Sequence, residues 1–564
     1  MAFKDYKYER PNYEEIKQQL SLLINELCKA DNAEKQYDII KKINEIRNRN
    51  ETMYNLAYIR HTIDTKDKYY DEEKNYWNEY LPLYEELNSQ FYKALVQSRF
   101  RAELEEKLGK QFFNLAELTI KSFSPEVIED LQKENKLVSE YVKLIASAKI
   151  MFQGEERTLA TLAPFTLSKD REVREKASKA KYDFFVEREA EIDRIYDELV
   201  KVRTKIAKKL GYKNFVELGY IRMKRSDYNP EMVANFRKQV EKYIVPVASK
   251  LYERQRKRLG LDTLTYYDEK FEFLSGNAKP KGSAEWILDK GKTMYSELSA
   301  ETKEFFDFMV EENLLDLIAK PGKAGGGYCT YIPDYKAPFI FSNFNGTSDD
   351  IKVLTHEAGH AFQVYSSRWI ELPECNFPTN ESCEIHSMSM EFFTWPWMDL
   401  FFQEDADKYK FIHLGNAVKF IPYGVTVDEF QHFVYENPEA TPEERKKAWR
   451  EIEKKYLPHK NYEGCDFLER GGWWFQQSHI FKTPFYYIDY TLAQICALQF
   501  WKKAQENREK AWEDYVKLCK IGGTKSFLEL VDYANLISPF KDGCISSVIG
   551  DIDKWLESVD DAEF

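Results

Sequence analysis

Two histidines stand four residues apart around a glutamate in the segment His356-Glu357-Ala358-Gly359-His360. Residues four apart share one face of an α-helix, so His356 and His360 could bind a single zinc ion together. Glu357 would then lie beside the metal ion and could take a proton from a water molecule bound to it. Ser348 or Asp349 suits the N-cap of such a helix, with acidic residues in the first turn. The alternative is a pair of surface histidines on an amphipathic helix that binds no metal.

The histidines of the chain are clustered in its C-terminal half. Seven of the eight lie between residues 356 and 479, and this cluster marks the chemical centre of the protein. Four histidines outside the motif are each expected to make ordinary hydrogen bonds rather than to bind the metal ion, namely His386, His413, His432 and His459.

A catalytic zinc ion needs a third protein ligand and keeps a fourth position for water. Gln363 and Ser366 stand where an extended motif would have glycine and a third histidine, so a carboxylate from a second helix is the remaining choice. The candidates downstream are Glu371, Glu374, Glu381, Glu384 and Glu391. Residues 381–393 are typical of a helix that Pro396 ends or kinks. Spacing alone ranks Glu384 and Glu381 close together, with Glu391 as a carboxylate that supports a ligand.

With this second helix, the sequence resembles the thimet oligopeptidase and oligoendopeptidase F family of zinc metallopeptidases, and most closely bacterial oligoendopeptidase F and Pz-peptidase. The resemblance implies one Zn²⁺ ion per chain and a third ligand on a helix that carries another glutamate two turns on. Glu384 follows His360 by 24 residues and Glu391 follows Glu384 by 7, so the resemblance assigns the third ligand to Glu384. Cys383 departs from the small residue usual in the family and places an oxidisable thiol beside this ligand.

A second aromatic-rich stretch covers residues 478–490, where Pro484 suits the first turn of a helix running towards Leu498. Peptide hydrolysis needs hydrogen-bond donors for the oxyanion of the tetrahedral intermediate, and tyrosine or histidine can supply them. Taken alone, tyrosines at helical spacing are more often part of an amphipathic core. The resemblance implies instead that His479, Tyr487 and Tyr490 bind substrate and stabilise the transition state, with Tyr486 as a weaker match for substrate binding.

Two segments upstream of the motif are candidates for binding substrate. Gly325, Gly326 and Gly327 form the most glycine-dense point of the chain, either as a flexible turn or as a mobile flap over the substrate. Residues 338–346, which include Phe339, are typical of a short strand ending in a turn. As an edge strand it could pair with the main chain of an extended peptide, although it could equally be purely structural.

Helical patterns dominate the chain, and the few strand-like runs gather just before the zinc-binding motif. We therefore expect a mainly α fold with a small β-sheet next to the HExxH helix. Residues 1–200, which contain none of the chemical motifs, are predicted to form an N-terminal helical lobe, and residues 201–564 the catalytic domain. The resemblance implies that two helical lobes enclose a substrate channel that admits unfolded oligopeptides.

The composition of the chain indicates which classes of partner and which cellular location to expect. The net charge of −13, from 82 basic and 95 acidic residues, argues against nucleic acid. The charged N-terminus has no signal-peptide core, and no apolar run has the length of about 20 residues that a membrane span needs. The 8 cysteines show no CxxC spacing. These features predict a reduced, cytoplasmic protein without a membrane partner, and they leave the oligomeric state open.

Together these observations predict a zinc-dependent endopeptidase that hydrolyses internal bonds of short unfolded oligopeptides. The resemblance to Pz-peptidase makes Gly/Pro-containing, collagen-like peptides the candidate substrates. The alternatives are a zinc exopeptidase with the same metal site, such as a carboxypeptidase or an aminopeptidase, and a non-catalytic peptide-binding protein. An exopeptidase needs a charged group that grips a substrate terminus, which the sequence does not identify, and pure binding would not need a base at Glu357.

Overall fold

A computed structural model describes residues 1–320 and 322–564. The fold is largely helical. The first helices are α1 (Tyr13–Lys29), α2 (Ala33–Ile63), α3 (Lys68–Val96), α4 (Arg101–Leu108), α5 (Lys110–Lys121), α6 (Ile128–Ala146), α7 (Leu159–Leu162), α8 (Arg171–Glu187), α9 (Glu189–Lys209), α10 (Phe215–Arg222), α11 (Pro230–Gln239) and α12 (Val245–Arg258). The later helices are α13 (Ala284–Leu298), α14 (Ala300–Glu311), α15 (Asp349–Ser366), α16 (Pro373–Asn376), α17 (Asn380–Phe393), α18 (Asp399–Phe402), α19 (Ala406–Glu436), α20 (Pro442–Tyr456), α21 (Asp466–Glu469), α22 (Ser478–Lys482), α23 (Tyr487–Glu506), α24 (Arg508–Ile521), α25 (Phe527–Tyr533) and α26 (Cys544–Ser558).

The chain divides into two compact units, each made of three stretches of sequence. Unit 1 contains residues 1–120, 278–409 and 496–538, and unit 2 contains residues 121–277, 410–495 and 539–564. The predicted domain boundary near residue 200 falls within α9. The division into residues 1–200 and 201–564 stays a prediction.

The strands form two small sheets, one antiparallel and one mixed. In unit 2, β1 (Ile150–Phe152) pairs with β2 (Glu155–Arg157) as a hairpin. In unit 1, β3 (Leu315–Ile318), β4 (Tyr328–Ile332) and β5 (Ala337–Phe344) form a sheet in the order β3-β5-β4. β5 runs parallel to β3 and antiparallel to β4, and α15 packs against β4 and β5. The predicted mainly α fold, with a small sheet beside the helix that carries the motif, is confirmed.

The predicted edge strand over residues 338–346 is wrong in one respect. The strand exists as β5, but it lies at the centre of the sheet because β3 and β4 pair with its two sides. Phe339 is buried in β5, and its ring lies 4.5 Å from the ring of Phe3. Because β3 and β4 already use the backbone hydrogen bonds of β5, this strand cannot also pair with a peptide. β4 is the outer strand on that side of the sheet.

The helix α15 begins where the sequence predicts, although a different side chain stabilises its start. Ser348 occupies the N-cap position, but its backbone is already helical and its side chain makes no capping hydrogen bond. The Asp350 carboxylate instead accepts hydrogen bonds from the backbone N–H groups of Asn345 (2.9 Å) and Gly346 (2.8 Å). These bonds tie the turn after β5 to the first turn of α15.

No helix among residues 1–320 and 322–564 combines the length and the apolar character that crossing a membrane requires.

Candidate metal centre and active site

Gly359 allows the two helices of the predicted metal centre to approach closely. A Cβ atom at this position of α15 would lie 2.6 Å from Ser387 Cα and 2.7 Å from His386 O, both backbone atoms of α17. Such distances are far below van der Waals contact, so only glycine fits here without a shift. The glycine inside the motif therefore brings α17 against the face of α15 that carries the two histidines.

His356, His360 and Glu384 converge where these helices meet. One donor atom from each residue lies within 4.8 Å of the others. Glu384 Oε2 is 3.3 Å from His356 Nε2 and 3.7 Å from His360 Nε2. Glu381, the rival of Glu384 by spacing, is buried elsewhere and accepts a hydrogen bond from Thr379 Oγ1 at 3.0 Å. The structure thus brings Glu384 to the histidines.

Neighbouring side chains orient these three residues. Glu391 Oε1 lies 2.7 Å from His356 Nδ1, so an ionised Glu391 accepts the Nδ1–H hydrogen bond, and the neutral ring then has its lone pair on Nε2, facing the cluster. Ser387 Oγ donates a hydrogen bond to Glu384 Oε2 at 2.9 Å. Burial lowers the pKa of His360 to about 4, which keeps its imidazole neutral. The supporting position of Glu391 follows from its spacing in the sequence, whereas the only sequence signal for Ser387 is its position three residues after Glu384.

The donor set fits a zinc ion. Two neutral imidazoles and one carboxylate form a common ligand set of catalytic zinc sites, which leaves a further position open. A carboxylate behind a ligating histidine is equally common in such sites because it fixes the ring and makes the free nitrogen more basic. His356, His360 and Glu384 meet the first condition, and Glu391 behind His356 meets the second.

Glu357 is buried next to this cluster. Burial raises the pKa of its carboxyl to about 7; His356 opposes this shift, and the carboxylates of Glu384 and Glu391 reinforce it. Gly327 adjoins it, since a Cβ atom on Gly327 would lie 3.6 Å from Glu357 Oε1.

The glycine-rich segment before β4 therefore comes next to the proposed base. Asn343 Nδ2 holds this segment by donating to the backbone carbonyls of Ala324 (2.9 Å) and Gly326 (2.8 Å). Gly325 and Gly326 have no atom within 4 Å of an added Cβ, and Gly326 has a φ of +91°. The backbone of the segment is thus held by Asn343, while the space next to Gly325 and Gly326 is open.

The aromatic residues predicted on the substrate side cluster within unit 2. The ring of His479, on α22, lies 5.1 Å from Tyr487, 5.8 Å from Tyr486 and 6.2 Å from Tyr490. Tyr490 contacts both of the other tyrosines, with ring separations of 4.9 Å from Tyr486, directly before α23, and 5.7 Å from Tyr487 at its start. All four side chains are half-buried.

The turn between α22 and α23 sets the position of these tyrosines. Phe485 has a φ of +68°, a left-handed conformation that is uncommon for a residue other than glycine. Its backbone N–H donates to Gln431 Oε1 at 2.8 Å, and its carbonyl accepts from the buried guanidinium of Arg225 at 2.5 Å. The same guanidinium pairs with Asp489 at 2.7 Å. Pro484 lies in this turn, because α23 begins only at Tyr487.

Three of the four histidines that were expected to make ordinary contacts do make them. His386 Nδ1 lies 2.8 Å from Ser382 O, His432 Nε2 lies 3.0 Å from the Tyr220 hydroxyl, and His459 stacks on Tyr252. None of these three belongs to the metal-binding cluster found among the described residues.

Several known peptidases are similar to this chain. A solved structure of Pz peptidase A with an inhibitor superimposes with a TM-score of 0.93 at 63% identity, covering 99% of this chain and 100% of that chain. An oligoendopeptidase F homologue of Borreliella burgdorferi is 25% identical over 419 residues, which are 70% of this chain and 69% of that protein. The oligopeptidase PepF of Bacillus subtilis is 21% identical over 542 residues, 90% of this chain and 78% of that protein.

Two family profiles together match most of the chain. The profile of the peptidase M3 N-terminal domain matches residues 3–123, and that of peptidase family M3 matches residues 165–548. The second match includes the metal-binding cluster, Glu357 and the aromatic residues of unit 2. The predicted class of enzyme, a metalloendopeptidase, is confirmed by these similarities. The chain belongs to peptidase family M3.

Proposed function

We propose that this protein is a zinc-dependent endopeptidase that hydrolyses internal bonds of short, unfolded oligopeptides. The observation that carries the proposal is the convergence of His356, His360 and Glu384 within 4.8 Å, with Glu357 buried beside them. These three residues would hold the zinc ion. When bound in such a site, zinc makes water more acidic and polarises a carbonyl oxygen.

Glu357 is the proposed general base and acid. Its buried carboxylate would take a proton from the attacking water at Oε1 or Oε2 and later return it to the leaving amine. Burial raises the pKa of this carboxyl, which makes its carboxylate a better acceptor for the proton of the attacking water. The adjacent Gly327 has no side chain, which leaves room for a peptide next to this carboxylate.

We assign His479, Tyr487 and Tyr490 to the stabilisation of the oxyanion. Each carries a polar hydrogen on a half-buried ring, which is the kind of donor that the tetrahedral intermediate needs. Tyr486 is assigned to substrate binding, since its ring stacks against His479.

The outer strand β4 and the glycine segment Gly325–Gly327 are the proposed contacts for the peptide main chain. β4 starts directly after Gly327 and lies at the edge of its sheet, where an extended peptide could add as a further strand. Recognition through the main chain would tolerate many side chains. Gly/Pro-containing, collagen-like peptides are the first substrates to test because of the similarity to Pz peptidase A.

A cytoplasmic location is part of the proposal. All eight cysteines have free thiols in the structure, which suits a reducing compartment.

The test uses an oligopeptide blocked at both ends, which an exopeptidase cannot grip by a free terminus. Zinc content and cleavage are measured for the wild type, for Glu357→Gln and for the control Glu371→Gln, whose carboxylate is exposed and outside the metal-binding cluster. We expect internal cleavage by the wild type, a decrease in kcat of about 10²- to 10⁴-fold in Glu357→Gln with zinc retained, and no change in the control. Cleavage restricted to peptides with a free end would indicate an exopeptidase. The absence of any cleavage by zinc-loaded wild type would indicate a binding protein.

A further inference from the structure

Gln477 lies between His479 and Tyr423 and makes a hydrogen bond to each. Gln477 Nε2 is 2.7 Å from His479 Nδ1, and Gln477 Oε1 is 2.7 Å from the Tyr423 hydroxyl. Tyr423 belongs to α19, and Gln477 directly precedes α22, so the chain of bonds joins two separate helices within unit 2. The three side chains are half-buried.

The direction of these hydrogen bonds follows from the amide of Gln477. The Tyr423 hydroxyl donates to Gln477 Oε1, because an amide oxygen can only accept. With Oε1 towards Tyr423, the Gln477 amide presents its N–H group to His479 Nδ1.

We propose that Gln477 and Tyr423 are positioning residues that hold His479 as the tautomer protonated at Nε2, so that His479 acts as a hydrogen-bond donor to the oxyanion and not as a base. An N–H group facing Nδ1 requires a lone pair on Nδ1, and a neutral imidazole then carries its single proton on Nε2. The inference rests on the proposed role of His479 in peptide hydrolysis.

The surroundings of His479 favour the neutral ring. Burial lowers its pKa, and Lys482 on the same helix acts in the same direction. Three further ionisable side chains lie against the ring, namely Tyr486 directly before α23 and Tyr487 and Tyr490 on α23. An imidazolium would also place a second N–H against the amide N–H of Gln477, which repels it. The ring therefore stays neutral and keeps its Nε2–H donor at neutral pH.

The consequence for catalysis is a division of roles. An Nε2–H group stabilises a developing oxyanion, whereas an Nε2 lone pair would repel it. Since Nδ1 of His479 is occupied by Gln477 and Nε2 carries the proton, this histidine has no lone pair available to accept a proton from water. Proton transfer is left to Glu357.

The substitution Gln477→Glu reverses the polarity at Nδ1 with little change in shape. A carboxylate accepts an Nδ1–H hydrogen bond, so the neutral ring of this variant would have its lone pair on Nε2 and only the imidazolium would donate from Nε2. The carboxylate also raises the pKa of His479. We expect kcat of the variant to fall as pH rises through this pKa, by about 10- to 100-fold, with KM unchanged, because an oxyanion donor acts only in the transition state. The wild type should show no such loss over the same pH range.

Gln476→Glu is the matched control, since it adds the same charge one residue away. Its side chain contacts Lys181 and Tyr182 and not His479. We expect its pH profile to follow that of the wild type. Tyr423→Phe is a second variant, which removes the O–H group that orients Gln477 and should lower kcat without the new pH dependence.

The tautomer itself is measured on the zinc-loaded enzyme labelled with ¹⁵N-histidine, with the His479 signals assigned by their loss in His479→Gln. We expect a protonated Nε2 and an unprotonated Nδ1 in the wild type, and the reverse in neutral Gln477→Glu. A wild-type ring protonated at Nδ1 would overturn the inference whatever the activity. A protonated Nε2 with an unchanged pH profile in Gln477→Glu would overturn its link to catalysis. If the wild type cleaves no peptide, the proposed function fails while the NMR experiment still decides the tautomer.

Discussion

The substitution Gly359→Ala tests whether the close approach of α15 and α17 builds the metal centre. An added Cβ would lie 2.6 Å from Ser387 Cα and 2.7 Å from His386 O, where contact normally begins at about 3.5 Å between carbon atoms. The opposing atoms belong to the backbone and cannot rotate away. Relief of the overlap therefore requires α17 to move by roughly 1 Å relative to α15.

Two effects on stability oppose each other in this variant. Overpacking of a close contact costs about 1–3 kcal/mol, whereas alanine in place of glycine inside a helix contributes about 1 kcal/mol. The net loss of stability should thus be modest, about 0–2 kcal/mol.

The effect on the metal centre should be larger. Glu384 and Glu391 both lie on α17, and metal–ligand distances tolerate only about 0.2 Å of error. A displacement of 1 Å should weaken zinc binding by at least about tenfold, which corresponds to about 1.4 kcal/mol.

The assay combines a zinc competition titration against a chromophoric chelator with thermal unfolding of the metal-free protein. Gly550→Ala is the control, because Gly550 lies in the middle of α26 with an exposed backbone and has no atom within 4 Å of an added Cβ. We expect the control to gain up to about 1 kcal/mol of stability and to bind zinc as the wild type does. If Gly359→Ala gains stability and keeps its zinc affinity in the same way, the close approach does not hold Glu384 in place and the reasoning is refuted.

Two further predictions concern buried carboxylates. In Glu391→Gln, His356 Nδ1–H loses a charged acceptor, so zinc affinity should fall about 10- to 100-fold in the same titration, with Glu371→Gln unchanged as its control. In Arg225→Met, Asp489 stays buried without the guanidinium that pairs with it. Thermal unfolding should show a loss of stability of about 3–5 kcal/mol. The double variant Arg225→Met/Asp489→Leu should recover most of this loss, because it removes the buried charge as well. Equal stability of the single and double variants would contradict the second prediction.

The parts of the site that could be predicted from sequence are those that depend on local spacing. His356, Glu357 and His360 have fixed relative positions on any helix, so their arrangement follows from the motif alone. Spacing left Glu381 and Glu384 open because both are on one helix, three residues apart. The choice between them depends on which face of α17 meets α15. That face is set by tertiary packing, including the contact of Gly359 with Ser387 and His386.

The order of strands could not be predicted in the same way. A run such as residues 338–346 shows strand propensity, but which sides of a strand are paired depends on segments elsewhere in the chain. β3 pairs with β5 although the paired residues Leu315 and Ile340 are 25 positions apart, and this pairing makes the predicted edge strand the central one. Phe339 is buried for the same reason.

The boundaries of the two units also could not be predicted from the sequence. α19 begins in unit 1 and continues into unit 2, and α23 begins in unit 2 and ends in unit 1. A helix that continues through such a border has no glycine- or proline-rich linker to mark it. The hydrogen bonds that link Tyr423, Gln477 and His479 were missed because Tyr423 and Gln477 are 54 residues apart and become partners only in the folded unit.

The proposed chemistry uses the same side chain, histidine, for two opposite tasks, and the partner of Nδ1 decides between them. His356 meets the carboxylate of Glu391, which accepts an Nδ1–H bond and leaves Nε2 with the lone pair that a metal ligand needs. His479 meets the amide N–H of Gln477, which occupies the Nδ1 lone pair and leaves Nε2 with the proton that an oxyanion donor needs. Neither imidazole could do the work of the other in its present surroundings, since exchange of the two partners would reverse both tautomers. The neighbours of each histidine, more than the histidine itself, therefore carry the information about its role.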